Sequence, residues 1–430
     1  MSFRRKDCIS RKLINCFLGA AGILFACLFP EMARAQIIPD LSGSLPAGDT
    51  ISSKEAIALS KQRDLIDLGY LLFHKNPRSR LDNSGTKNTR LYFTVAPVVE
   101  FTIATGFSPG VAGNVAFLTS AVEKTNTSTF LGAVKYTQKN QFLLPVQSSV
   151  WTPGNKFNLQ GDWRYFKYPQ DTYGFGGFTQ LSDKYIVDYE YLRFYESIRR
   201  KIGENLYAGL GYQLDLHWKI RELGVPPGKV TDFQKYGYSG SSASSGIALD
   251  FVFDTRENSI NVKGGSFFAN LHLVQNARFL GASSNYNTIT LDLRGYFKMP
   301  FHTILALWSY SVFTVSGNPP YLDLTGTGTD PFNNTGRGYE QGRFIGKHMI
   351  DLEAEIRFNI TRDGLLGAVV FGNAETVSEL GSNRLEVISP AIGVGLRIKF
   401  NKFSGTNACL DYGVGKGGSR GFVGNLGEVF

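Results

Sequence analysis

The chain has 430 residues and a formal net charge of +9, and it contains 48 glycines, 33 phenylalanines and 20 tyrosines. Glycine and aromatic residues in these numbers are typical of many strands and turns rather than of helices. The positive charge is modest and scattered along the chain, which argues against nucleic-acid binding.

The first 35 residues have the features of a secretory signal peptide. A cationic segment precedes an apolar run at 13–29, and Ala33-Arg34-Ala35 fits the small-x-small cleavage pattern. The alternatives are a transmembrane anchor, for which the apolar run is short, and lipoprotein processing at Cys27. Cleavage after Ala35 would leave a net charge of +5 and one cysteine, Cys409, which has no internal disulfide partner.

Residues 36–88 predict a short periplasmic extension with one amphipathic helix. Ser52 and Glu55 fit a capping box, and Leu65, Leu68 and Leu72 follow at helical spacing. A basic, glycine-bearing linker separates this helix from residue 89. The helix has three interpretations: a plug of a barrel lumen, a helix on the inner leaflet, or an ordinary extension.

From residue 89 onward, apolar and polar residues alternate in long runs. The run at 206–218, LYAGLGYQLDLHW, alternates throughout, and the pattern recurs near 289–297, 350–359 and 392–400. Strands of soluble sandwiches have about five or six residues, whereas a tilted transmembrane strand needs about nine to eleven. One face of 350–359 carries four charged residues, which suits a wet barrel interior better than the alternative, a sandwich surface.

The last ten residues, GFVGNLGEVF, alternate again and predict a final strand that ends at Phe430. A terminal aromatic residue of this kind resembles the sorting signal of bacterial outer-membrane barrels. An open edge in lipid leaves backbone groups unsatisfied, so the last strand is expected to pair with the first, near 91–101. At about twenty-one residues per strand and turn, residues 89–430 predict an all-β, closed antiparallel transmembrane β-barrel of about 16 strands.

Enzyme motifs are absent from the sequence. The five histidines lack His-Glu-x-x-His spacing, and the serine-rich run GYSGSSASSG lacks a Gly-x-Ser-x-Gly elbow. We therefore expect no enzyme activity, no cofactor, and no catalytic or metal site.

A loop-forming stretch, NTGRGYEQGRF at 334–344, precedes the strand IDLEAEIRF at 350–358. Together they resemble the bacterial surface antigen family of BamA/TamA-like barrels, in which an inward-folded loop carries an arginine in a Val-Arg-Gly-Phe or Val-Arg-Gly-Tyr motif. FDTRENSINVKGGSFF at 253–268 resembles the family's Asp-x-Arg-x-Asn strand. GVGLRIKF and CLDYGVG resemble its last two strands, with Arg397 and Asp411 at the usual places. The matching loop residues are Gly336, Arg337, Gly338 and Tyr339.

The resemblance implies that Arg337 locks the loop inside the barrel, where the alternative is an exposed loop arginine. A glycine on either side lets the backbone turn sharply. The family usually has Phe-x-Asp-x-Gly on the strand facing the arginine, and this chain has FGNAE there. The candidate partners of the arginine are therefore Glu355, which we favour, and Glu353, Asp351 and Asn373.

The resemblance also implies a role in outer-membrane biogenesis or transport, with residues 1–35 as signal peptide, 36–88 as extension and 89–430 as barrel. Family members that handle client proteins carry periplasmic POTRA domains, for which 36–88 is too short, so the chain resembles a barrel-only member. The alternative is a passive pore or structural barrel without client activity. The expected location is the outer membrane of a Gram-negative bacterium, as an integral multi-pass protein. The expected partners are outer-membrane lipids and client membrane proteins or assembly machinery.

Overall fold

The computed structural model describes residues 60–72, 91–102, 104–120, 125–237 and 239–430. The predicted signal peptide, the capping box and the linker before residue 89 lie outside these ranges. The described residues include helix α1 (Leu65–Leu72) and helix α2 (Asp232–Gly237). The helical spacing at Leu65, Leu68 and Leu72 is thus confirmed. None of the described helices is long and apolar enough to span a membrane.

Within the described ranges, sixteen strands form one antiparallel barrel, which confirms the predicted fold class. They are β1 (Tyr92–Thr102), β2 (Gly106–Phe117), β3 (Ser128–Tyr136), β4 (Phe142–Trp151), β5 (Phe157–Lys167), β7 (Tyr185–Gly203), β8 (Leu206–Leu223), β9 (Ser241–Asp254), β10 (Ser266–Asn276), β11 (Tyr286–Met299), β12 (Thr303–Gly317), β15 (His348–Asn359), β16 (Leu366–Val377), β17 (Ser389–Asn401), β18 (Thr406–Gly415) and β19 (Arg420–Leu426). The short β6 (Gln170–Thr172) pairs with β7, and β13 (Thr325–Gly326) pairs with β14 (Ile345–Gly346) inside one loop.

The barrel is nearly closed, with a seam between its first and last strands. Each barrel strand pairs with the next one along the chain, and β1 lies beside β19. A Cβ atom on Gly424 of β19 would lie 3.6 Å from the carbonyl oxygen of Phe101 in β1. Among the described residues, however, no ladder of backbone hydrogen bonds joins the two strands. In the described residues a close approach of β1 and β19 thus takes the place of the direct pairing expected from the sequence.

The period of two places apolar side chains outside and polar ones inside. On β15, Leu352 and Ile356 are exposed on the outer surface, whereas Glu353 and Glu355 are buried in the interior. A β-strand points successive side chains to opposite faces, so the alternation of apolar and polar residues places one kind on the outer surface and the other in the interior. The outer surface is consequently an apolar belt, and the charges predicted to be lumenal lie in the lumen.

The two ends of the barrel differ in the length of their connections. One end, here named the long-loop end, carries residues 168–184, 224–240, 277–285, 318–347 and 378–388. The other, the short-turn end, carries turns such as 204–205 and 300–302, together with the longer turn 255–265. In outer-membrane barrels, long loops face outward and short turns face the periplasm.

Helix α1 lies against the short-turn end. The Lys402 ammonium donates to the Asp67 carboxylate at 2.8 Å, and the Lys402 backbone N–H donates to Asp64 Oδ2 at 2.8 Å. The Arg63 N–H donates to the carbonyl of Asp363 at 3.1 Å. The helix is thus tied to the ends of β15 and β17, which is a defined position at the mouth of the barrel.

Aromatic side chains fill much of the described interior in two clusters. The first lies toward the long-loop end and includes Phe175, Tyr185, Tyr189, Tyr191, Phe233 and Tyr321. The second lies under loop 318–347 and includes Tyr296, Trp308, Tyr339, Phe344, Met349 and Phe430. The core of this protein is therefore inside the barrel, between the wall and the inserted loop.

Candidate functional site

Loop 318–347 folds into the barrel and presents Arg337 at its tip. Gly336 and Gly338 have φ angles of 71° and 104°, in the region that glycine reaches without steric cost. The Tyr339 N–H donates to the Gly336 carbonyl at 3.0 Å, which closes a tight turn around the arginine. The Arg337 side chain is almost fully buried, so this arginine is not an exposed loop residue.

Three carboxylates surround the Arg337 guanidinium. Its Nη1 donates to Asp411 Oδ2 at 2.7 Å, and its Nη2 donates to Glu355 Oε2 at 2.6 Å and to Glu353. The guanidinium carbon also lies 3.7 Å from the centre of the Phe371 ring. Charge-assisted hydrogen bonds are stronger than neutral ones, and breaking a buried pair leaves an uncompensated charge. The contacts therefore hold the loop to β15, β16 and β18 together.

Two of the candidate partners are placed differently from the expectation. Asp351 points into the same interior, but it does not reach the guanidinium, because it lies opposite Glu375, one step nearer the long-loop end than Glu353. Asn373 contacts the backbone of Arg337 and not its guanidinium, since its Nδ2 donates to the backbone carbonyl of Arg337 at 2.8 Å. Glu353 and Glu355 do contact the arginine, and they share the contact with Asp411.

Asp411, at a position that resembles one of the family's last strands, was not predicted to be a partner of Arg337. Asp411 lies on β18, far along the chain, and only barrel closure brings it to the loop. It also accepts hydrogen bonds from Arg397, which in turn donates from Nε to Glu428 Oε2 at 2.8 Å. Arg357 Nε donates to Glu355 Oε1 at 2.6 Å. The contacts of Arg337 with its three carboxylates, here named the loop lock, are thus one part of a network of alternating positive and negative side chains that crosses the interior.

Tyr339 provides a further attachment to the wall. Its hydroxyl donates to the Pro390 carbonyl at 2.6 Å and accepts from the Lys416 N–H at 2.7 Å. A Cβ atom on Gly415 would lie 2.5 Å from the Tyr339 ring, so only glycine leaves space for the ring there. All four residues of the Gly-Arg-Gly-Tyr motif therefore have a structural role in seating the loop.

A second attachment of the loop, at the long-loop end, was not predicted from the sequence. Glu340 accepts hydrogen bonds from Lys139 and from the Tyr173 hydroxyl, and it lies 3.6 Å from the Lys184 ammonium. Burial on its own would lower the pKa of Lys139, but the hydrogen bonds and charges of Glu340 and Asp171 outweigh it and raise the pKa. Glu340 therefore ties the loop to two neighbouring loops.

The tail that follows β19 turns into the barrel, which corrects the predicted final strand. The strand ends at Leu426, and Phe430 is buried and stacked on Trp308 with 5.2 Å between ring centres. Arg357 Nη2 donates to the Phe430 carbonyl at 2.7 Å. The alternating pattern ends early because Gly427 has a φ of 98°, which redirects the chain. Phe430 thus packs in the lumen, away from the outward-facing Phe422.

The tail also contacts the loop and the turn 255–265. Asn334 Nδ2, in the loop, donates to the carbonyl of Val429 at 2.7 Å. The Glu428 N–H donates to the carbonyl of Ile260, in the turn 255–265, at 3.1 Å. Tail, loop and turn therefore meet inside the barrel as one connected assembly.

Comparison with known proteins identifies similar folds. The sequence matches no protein-family model, and no curated protein matches it. BamA from Haemophilus ducreyi lacking POTRA domains 1-3 aligns with a TM-score of 0.53 and 14% identity over 78% of this chain and 70% of that chain.

Two further structures are similar. CdiB from Acinetobacter baumannii aligns with a TM-score of 0.51 and 11% identity over 92% of this chain and 73% of that chain. CdiB from Escherichia coli aligns with a TM-score of 0.50 and 8% identity over 78% and 62% of the two chains. At these identities the likeness concerns the fold, and the chain therefore shares the barrel fold of BamA and CdiB.

Proposed function

We propose that the chain is an integral outer-membrane barrel that acts in outer-membrane biogenesis or transport, in the manner of BamA/TamA-type proteins. The observation that carries this proposal is the seam: in the part of the chain that the structure describes, β1 approaches β19 without a continuous ladder, and the tail after β19 turns inward. The proposed partners are outer-membrane lipids, client membrane proteins and the assembly machinery. The proposal assigns the chain no catalytic chemistry.

The seam is the part of the wall that separates most easily. Every other pair of neighbouring barrel strands is joined by a backbone ladder, for example β7 with β8, and such a ladder is costly to open in lipid. β1 has eleven residues and β19 has seven, so part of the β1 edge extends past its neighbour. An exposed edge accepts an extended segment as an added strand, which is a route for a client to enter the wall.

The loop lock supports the strands next to the seam. Arg337 binds β15 and β18, Tyr339 contacts the residues at the ends of β17 and β18, and Asn334 binds the tail. The loop and the aromatic clusters also fill the described interior. This filling favours a gated passage or a lateral opening over a steady pore, because the loop must move before the lumen widens.

Disulfide locking of the seam tests the proposal. A Phe101→Cys and Gly424→Cys pair would cross the seam, whereas a Phe101→Cys and Phe107→Cys pair lies across the intact β1–β2 ladder. We expect the seam pair, when oxidised, to lower the levels of other barrels in an outer-membrane proteome after depletion of the wild-type protein. The ladder pair should have no such effect, and a reducing agent should restore the seam pair.

The opposite result would support the alternative, a passive pore or structural barrel. If the oxidised seam pair leaves the outer-membrane proteome unchanged and the purified barrel shows steady single-channel conductance in a planar bilayer, the biogenesis role is wrong. The two measurements together separate a barrel that handles clients from one that only conducts.

A further inference from the structure

We propose that Glu196, on the outer wall of the barrel, is the residue through which two copies of this chain associate in the membrane. The outward row of β7 runs through Leu192, Phe194, Glu196 and Ile198. Ile198 is 47% exposed, and its partner on β8, Leu210, is exposed as well. An ionisable side chain in an apolar belt is costly and usually marks a functional contact. The inference requires a membrane-spanning barrel, and it does not depend on the biogenesis role.

Glu196 lies midway between the two aromatic levels of this wall. Its partner on β5 is Gly161. Phe157, which is exposed, lies four residues from this glycine toward the short-turn end. Tyr165 lies four residues toward the long-loop end, where its hydroxyl donates to Glu190 Oε2 at 3.3 Å. Four strand residues span about 13 Å, and aromatic girdles mark both interfaces of an outer-membrane barrel. The carboxyl group is therefore near the middle of the apolar belt, away from both headgroup layers.

The chain itself satisfies only one of the two carboxyl oxygens. Oε1 of Glu196 accepts a hydrogen bond from the Trp163 indole N–H at 2.7 Å, whereas no hydrogen bond or ion pair among the described residues reaches Oε2. The hydroxyl of Tyr212, the partner of Glu196 on β8, is hydrogen-bonded to Ser245 at 2.8 Å instead. Lipid tails offer no hydrogen bonds. Oε2 is therefore open to a partner from outside the chain.

The wall beside Glu196 is low enough for another barrel to approach closely. A Cβ atom on Gly161 would lie 2.9 Å from the Trp163 ring and 2.7 Å from the hydroxyl of Ser148 on β4. Only glycine leaves space for the ring, which lies against the wall over Gly161 and directs its N–H to Glu196. Interfaces between membrane segments combine small residues of this kind with polar side chains. The surroundings of the carboxyl group thus fit a contact between proteins.

A second copy of the chain supplies the matching group at the right depth. Two copies in one membrane share an orientation, so a two-fold axis perpendicular to the membrane brings the same patch of each together and keeps Glu196 at one depth. A protonated carboxyl has one donor and spare lone pairs. Two of them can therefore donate to each other, from Oε2 to Oε1 in both directions, while each Oε1 keeps its bond from Trp163. A partner with lysine or arginine would instead place a second costly charge in the belt.

Cysteine cross-linking of the full-length barrel in lipid vesicles at low protein density tests the inference. Ile198→Cys places a thiol at the next outward position of β7 and keeps Glu196, so we expect oxidation to give a covalent dimer. The control is Val394→Cys, at a 58% exposed position on β17, on the opposite wall of the barrel. It should give no dimer, and neither should the wild type, because Cys409 is buried. Equal cross-linking of the two variants would overturn the inference.

Two changes at Glu196 show whether the carboxyl group makes the contact. In the Ile198→Cys protein, Glu196→Gln keeps a donor and an acceptor and should retain the dimer. Glu196→Leu removes both and should weaken dimerisation about tenfold, the loss expected from two hydrogen bonds. Leucine suits the belt, so this variant should fold, with heat-modifiability as the check.

Two results would overturn the inference, whatever the seam-locking experiment shows. The first is undiminished dimerisation of Glu196→Leu, which would mean that the carboxyl group is not the contact. The second is a cross-link of Ile198→Cys in intact cells to a protein of different mass, with no dimer, which would assign this surface to another partner.

Discussion

Gly338 and Gly413 meet backbone to backbone. A Cβ atom on Gly413 would lie 2.7 Å from the Cα atom of Gly338, and one on Gly338 would lie 3.3 Å from the carbonyl carbon of Gly413. The inserted loop therefore lies directly on β18 with no side chain between them. This approach places Arg337 within reach of Asp411, and a side chain at Gly413 would force the loop to shift.

Gly413→Ala should push the loop away from the wall. The new methyl group has no space, so we expect a loss of about 1–3 kcal/mol in the free energy of unfolding and faster cleavage of loop 318–347 by external protease. Gly372→Ala is the control, because a Cβ atom there would make only ordinary contacts at 3.7 and 3.8 Å. Equal protease sensitivity of the two variants would contradict the contact.

Arg337→Ala should release the loop while the barrel stays folded. The change leaves three buried carboxylates without their shared cation, which costs about 3–5 kcal/mol for a buried pair. The measurement is protease cleavage of the loop in intact cells, with heat-modifiability as the check on barrel folding. The control is Arg384→Ala, which removes an exposed loop arginine. It should change neither the protease cleavage of loop 318–347 nor the heat-modifiability of the barrel. Unaltered loop protection in Arg337→Ala would remove the main support for the lock.

The effects of Arg337→Ala and Glu353→Gln should not add. Arg337 is the cation that contacts Glu353 among the described residues, so either change removes the same interaction, and the double variant should add little. Coupling energies of residues in contact are about 0.5–3 kcal/mol. Glu355→Ala should cost more than Glu353→Gln, because Glu355 also binds Arg357. The measurement is the urea unfolding midpoint of the wild type, the two single variants Arg337→Ala and Glu353→Gln, and their double variant. Losses of stability that add in the double variant would contradict the contact.

Leu210→Arg and Gln213→Arg test which side chains of β8 point outward and which point into the interior. Leu210 is exposed on the outer surface, and Gln213 contacts His272 in the interior at 2.9 Å. An arginine at the lipid-facing position near the midplane should cost about 2–4 kcal/mol, whereas the interior change should be mild. The comparison uses folding yields into lipid vesicles, and equal losses would show that the facing is wrong.

Phe430→Ala and Trp308→Ala separate packing from sorting. Both remove the stacked pair in the lumen, so both should lower the unfolding temperature of the barrel. If Phe430 also acts as the sorting element, its variant alone should slow appearance of the folded barrel in the outer membrane. The same assembly rate in both variants would leave Phe430 with a packing role only.

The sequence predicted the fold better than it predicted the site. A period of two reports which face a side chain occupies, so the outward Leu352 and the inward Glu353 follow directly from the alternation. The same period does not report which distant strands meet across the lumen. Asp411 was therefore missed as a partner of Arg337, and Glu340 as a second attachment of the loop, since the partners in both cases come from elements far away in the sequence.

The tail shows a second limit of reasoning from periodicity. Phe422, Leu426 and Phe430 share a parity, which predicted one continuous strand. Residues two apart face the same side only while the backbone remains extended. At Gly427 the backbone leaves the extended conformation, with a φ of 98°. The inward turn then depends on Arg357 and Trp308, which belong to other strands and leave no local signal in the last ten residues.

The hydrogen bond from Asn334 to Val429 joins the tail that follows β19 to a loop whose two ends lie at the long-loop end of the barrel. The tail is continuous with β19, so a force that draws this strand from the seam also tensions the loop whose base lies at the opposite end. In an outer membrane, an event on the periplasmic side would be transmitted to the cell surface. Under the proposed biogenesis function, a fluorophore on the loop would then report the arrival of a client from outside the cell.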